Sequence, residues 1–251
     1  MVEPENGRTL LLFPILRRLL MLAAFLAIPL VAGELVARKL IGDALAHAVS
    51  ARIGVSPKIG FGSTPLLAQI VRGKLDAVSV SAAGARIDGL PPLTLSGTLR
   101  DVHLSAVTSL QGAIGSLSVE AKLPAAGVRE LLATPACIDS LPHGLLATLT
   151  RNPRVVLFPG RIDLLPPHGR AAEVRLRPYA SRTSIRFEIS GLELAGVPVS
   201  ATALAAARQG TSCSRALSDL PFGVSLVSAS ARAGALGLGF AGRDASFSAL
   251  G

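Results

Sequence analysis

The chain has 251 residues, half of them hydrophobic, with eight Phe, one Tyr and no Trp, and its 25 Lys and Arg outnumber 16 Asp and Glu for a net charge of +9. Scarce aromatics and the lack of a dense Lys/Arg cluster argue against nucleic-acid binding, which relies on base stacking and phosphate contacts. An interior of Leu, Val, Ile and Ala suits an aliphatic cavity or a solid core equally well. The positive charge is mostly Arg beside abundant Ala, Gly and Leu. It fits GC-rich coding as well as an acidic partner such as an anionic membrane surface, where each nearby cation contributes ~1 kcal/mol.

Leu19 to Gly33 holds 15 residues without a charge, directly behind Arg17 and Arg18. A bilayer-spanning helix needs ~20, so the length suits the apolar region of a secretory signal, with Val31-Ala32-Gly33 as a cut site before Glu34. Glu3, Glu5 and a second apolar patch, Leu10 to Leu16, fit an uncleaved anchor instead. Both alternatives stay open. In either case Arg8, Arg17 and Arg18 predict a cytoplasmic N-terminus. Residues 1–33 then form a signal sequence or membrane anchor, and 34–251 form one exported domain on the outer side of the cytoplasmic membrane.

Glu34 to Ile53 reads as a helix, with Ile41, Leu45, Val49 and Ile53 at four-residue spacing and Gly54 and Pro57 at its end. Val55 to Phe61 is a short strand. Thr64 to Val71 is a second helix, with Thr64 as N-cap and Pro65 at its first position. Leu75 to Ala82 alternates valine with serine as a half-buried strand does. A strand follows through Leu93, Leu95, Leu99 and Val102, with a bulge near Gly97, then another from Leu117 to Leu123. Pro124 opens a helix through Leu132. Beyond a loop-rich stretch come strands at Val155 to Leu165, Ala172 to Arg177 and Ser184 to Leu194. The Ala-rich Val199 to Ala207 is ambiguous, and Val224 to Ala233 and Leu236 to Phe247 form a closing hairpin. The expected fold is α+β, mainly antiparallel: an elongated curved sheet or partial barrel with about three packing helices.

Catalytic signatures are absent. His47, His103, His143 and His168 lie apart, and neither a zinc-protease HExxH nor a serine elbow GxSxG occurs. Ser63, in Gly62-Ser63-Thr64, belongs to turn chemistry. The sequence from Gly237 through Gly239 to Gly242 spells GxGxxG, but only nine residues follow it, too few for a dinucleotide fold. Those glycines fit strand positions of bending or close approach. Gly73-Lys74 lacks the frame of a phosphate-binding loop. No cofactor, metal site or enzymatic activity is expected. Cys137 and Cys213 are a disulfide candidate if the domain is exported; the alternative is two separate small buried residues.

The stretch Gly60-Phe61-Gly62-Ser63-Thr64-Pro65-Leu66-Leu67, running on to Gly73 and into the alternating valines, resembles the LmeA-like phospholipid-binding family of actinobacterial envelope proteins. Glu34, at the start of its helix, and Leu220-Pro221-Phe222-Gly223-Val224 before the closing hairpin add to the likeness. It extends from about Glu34 to Leu250, with Ala113 to Asn152 matching in outline only. The resemblance implies a fold similar to tubular lipid-binding domains, anionic phospholipid in an apolar groove, and a role in envelope lipid or lipoglycan assembly. On that reading Phe61, Leu66, Leu67, Ile70, Val78, Val80, Leu93 and Leu95 are the lipid-binding candidates, and Arg72 and Lys74 the headgroup candidates. Each has a plainer alternative, as core or as solvated charge. A non-catalytic envelope protein with a solid core and an unknown protein partner is the second reading, and an enzyme of envelope lipid metabolism the third.

Overall fold

The computed structural model describes residues 12–87, 89–106, 111–134, 137, 153–167, 172–209, 213–217, 220 and 223–248. His143, His168, Pro221, Phe222 and most of the loop-rich stretch before Asn152 lie outside them. The first element is one unbroken helix, α1 (Leu12–Ile53), with Pro29 inside it. The helix therefore does not start at Glu34, as the sequence suggests, but runs through it. Gly33 and Gly42 each weaken a helix by only ~1 kcal/mol, and Pro29 forgoes one backbone bond. The real stop is Gly54, whose φ of 71° terminates the helix while its N–H still bonds Ser50 O at 2.8 Å.

A short strand, β1 (Lys58–Phe61), leads to α2 (Leu66–Val71). This helix starts later than the sequence suggests. Pro65 occupies the cap position and supplies no side-chain bond; the missing cap comes from α1, as described below. Then come β2 (Lys74–Ala85), β3 (Leu93–Ala106), β4 (Gln111–Pro124) and α3 (Ala125–Leu132), with Pro124 in its N-cap position and no side-chain capping bond. The expected single strand from Val155 to Leu165 is a hairpin, β5 (Arg154–Phe158) and β6 (Arg161–Leu165), turned at Pro159-Gly160, where Gly160 has φ 78°. The chain continues through β7 (Ala172–Ser181), β8 (Ser184–Leu194) and β9 (Val197–Pro198). The ambiguous Ala-rich segment is helical, α4 (Ala201–Gln209), and β10 (Cys213–Ala216), β11 (Ser225–Arg232) and β12 (Ala235–Ser248) complete the order.

Among the described residues every strand pair is antiparallel, and the strands form two open sheets. The first runs β1-β2-β3-β4-β12-β11; the second runs β10-β8-β7-β6-β5, with β9 beside β8. The sheets meet along β11: Gly160 N–H bonds Ala231 O at 2.9 Å, and Leu226 N–H bonds Arg182 O at 3.0 Å. Phe187, Ile162, Ile185, Leu123 and Leu236 are fully buried in the main core between them. A second cluster, including Ile41, Leu66, Leu75, Val78 and Ile114, lies where α1 and α2 cover the first sheet.

Gly97 marks no bulge. It stays in register with Val80 on β2 and Val119 on β4, and the irregularities fall at Ala82/Ala85 and Leu104/Ala106. The glycine serves close approach instead, since a Cβ there would stand 2.9 Å from Val119 Cγ2. Gly237, Gly239 and Gly242 all sit inside strand β12, and a Cβ on Gly242 would meet Val224 Cγ1 at 3.0 Å. Cys137 and Cys213 are joined by a disulfide that ties the segment after α3 to β10.

Candidate functional site

Strand alternation puts Val80, Gly97, Val119 and Phe240 on one face of the first sheet, and the pairing aligns them in a row across β2, β3, β4 and β12. Gly97 leaves a gap in that row. Above it lies a cavity of about 110 Å³, walled by the neighbouring Leu95, Leu99 and Leu117 as well as by the row itself. Val49 and Ile53 close it from the end of α1, with Ile87, Leu220 and Val224 completing the cover. Every lining residue is apolar or glycine, so the space offers hydrocarbon contact and no side-chain hydrogen bond. An apolar cavity of ~150 Å³ takes up benzene. This one is smaller, so as it stands it holds only part of a long acyl chain.

Of the residues singled out in the sequence, Val80 and Leu95 line this cavity. Leu66 and Val78 are buried in the second cluster, with Phe61 and Ile70 packed against it, and Leu93 is in the main core. Leu67 is half-buried where α2 crosses α1; a Cβ on Gly33 would stand 3.4 Å from Leu67 Cδ1. Arg72 and Lys74 lie at the α2 end, away from the cavity wall. Arg72 donates to Ala68 O at 3.1 Å and sits 3.8 Å from the Asp76 carboxylate. Lys74 pairs with Asp101 at 2.6 Å, and this bond holds the aspartate below its ordinary pKa. The remaining wall residues escaped the sequence reading. Val49 and Ile53 were visible only as a helical stripe, and Gly97 only as the site of an expected bulge.

A second arrangement was also missed. The Glu34 carboxylate of α1 accepts the backbone N–H of Leu66 at 2.6 Å and that of Leu67 at 2.9 Å. These are free donors of the first turn of α2, so Glu34 caps that helix from a distance in sequence. Arg38, one turn along α1, pairs with the same carboxylate at 2.6 Å and donates to Gly62 O and Thr64 O at 3.3 Å each. The two backbone bonds, helped by Arg38, lower the Glu34 pKa to about 2. Buried Gln69 completes the clamp: its Nε2 donates to Thr64 O at 3.0 Å, and its Oε1 accepts Asp76 N–H at 2.7 Å. Among the described residues, no group of three or more His, Cys, Asp or Glu is placed to hold a metal ion, and no helix is long and apolar enough to cross a membrane.

A family model described as LmeA-like phospholipid-binding matches residues 32–240. No curated protein matches the chain, and no solved structure does.

Proposed function

Because the chain belongs to the LmeA-like phospholipid-binding family, we propose that it is an exported cell-envelope protein that shelters acyl chains of an anionic phospholipid between the first sheet and the end of α1, in support of envelope lipid or lipoglycan assembly. The wholly apolar wall around Gly97 carries this reading. Acyl burial is worth ~0.8 kcal/mol per methylene relative to water. A bilayer lipid already has that gain, so the cavity has only to match hydrocarbon, and an aliphatic wall does so without a catalytic group. The headgroup stays outside such a wall, where the excess of Arg favours a negative charge and the membrane that bears it. The uncharged leader behind Arg17 and Arg18 supports the export part of this reading.

Purified protein extracted into organic solvent and examined by mass spectrometry tests the proposal. Phospholipid in near-stoichiometric amount, with flotation on vesicles containing anionic lipid in preference to neutral ones, is the expected result. Lipid-free protein that binds neither kind of vesicle would refute it. The modest cavity volume is what favours the second reading, a non-catalytic envelope protein with a solid core, and lipid-free protein is the outcome that reading requires.

A further inference from the structure

We infer that α1 is retained whole and that its N-terminal half is buried end-on in bilayer hydrocarbon, so that the domain is held at a membrane and the chain is not cut between Gly33 and Glu34. Three observations converge. First, the helix runs without interruption through the expected cut site. Second, its large side chains face solvent: Met21, Phe25, Ile28 and Leu30 are each more than half exposed, Phe25 by 78%. At 100° per residue, Phe25, Leu30 and Val31 point to three different sides. A helix apolar all round suits immersion, whereas one lying flat on a membrane keeps a polar face. Third, charge bounds the zone. Arg17 and Arg18 precede it, Glu34, Arg38 and Lys39 follow, and none falls between. At ~1.5 Å per residue the 15 uncharged residues reach about 22 Å into a hydrocarbon core ~30 Å thick.

Retention also explains the clamp. Glu34 bonds α2 from the middle of α1, where the preceding turn accepts the N–H groups of residues 34 to 37. In a chain beginning at Glu34 those donors are free, and the clamping carboxylate sits on the residue most prone to fray. A cut would therefore loosen the contact between α1 and α2.

The full-length chain is expressed in a bacterial host, and its membranes are washed with alkaline carbonate and floated on a density gradient. The expected result is protein floating with the membranes, with an intact mass that includes residues before Glu34. A second chain carries Ile28→Lys and Val31→Lys. Both positions are exposed, so the domain's packing is untouched, and each buried charge lowers insertion by about a hundredfold. That chain is expected in the carbonate supernatant. Release of the unaltered chain by carbonate, a mature N-terminus at Glu34, or equal flotation of both chains each overturns the inference. None of these readouts measures lipid in the cavity, so failure here leaves the lipid-binding proposal standing.

Discussion

Replacing Val80 by Phe separates lipid binding from stability. Val80 lies beside Gly97 across β2 and β3, and an aromatic ring there covers a glycine on the neighbouring strand, placing it in the cavity. At ~24 cal/mol per Å³ of void, abolishing all 110 Å³ would stabilise by at most about 2.6 kcal/mol. Strain from the larger side chain costs ~1–3 kcal/mol, so V80F is expected to unfold within about 2 kcal/mol of the unaltered protein. If the ring displaces two methylenes of an acyl chain at ~0.8 kcal/mol each, binding weakens by about 1.6 kcal/mol, or roughly fifteenfold. The companion Leu95→Ala enlarges the same cavity. It should cost ~3–5 kcal/mol while the folded fraction retains its lipid. Urea melts and the lipid-to-protein ratio by mass spectrometry give the two quantities. Undiminished lipid in V80F, or lipid loss that simply tracks stability across both variants, would refute the placement of acyl chains above Gly97.

Two further outcomes follow from the fold. The Cys137–Cys213 bond closes a separation of 76 residues, so the chain-entropy model assigns it about 4.5 kcal/mol; replacing both cysteines by Ala should lower the urea midpoint accordingly, and an unchanged midpoint would contradict the expectation. Glu34, whose pKa falls from 4.5 to about 2 on folding, contributes stability that is present above pH 4.5 and lost as the pH drops towards 2. Urea melts at pH 5 and pH 2.5 should therefore show a smaller acid loss in Glu34→Gln than in the unaltered chain, and identical losses would argue against the clamp.

Much of the architecture was legible because one-sided burial imposes a period. In β8, Ile185, Phe187 and Ile189 are buried while Arg186 and Glu188 are exposed, the alternation already visible in the sequence. Val155 to Leu165 misled because its turn is only Pro159-Gly160 set in an apolar run, although that dipeptide is a turn signal. The join of leader and helix escaped notice because the change from uncharged to charged sequence at Glu34 has no counterpart in the backbone. Site residues were harder still. Val80 and Leu95 were within reach because β2 and β3 are neighbours in sequence. Phe240 comes from β12, which pairs with β4 across more than a hundred residues, and local pattern carries no information about that register. The Glu34 cap, 32 residues from Leu66, was hidden in the same way.

The unbroken course of α1 makes it a lever. From the pivot at Glu34 to Ile53 the helix measures about 28 Å at ~1.5 Å per residue, and its far arm ends in Val49 and Ile53, two of the residues that roof the cavity. That same end is tied to the end of the strand beneath it, because Ile53 O accepts the Arg86 N–H at 2.9 Å, so parting the rod from the sheet at this point means breaking that bond as well as lifting the roof.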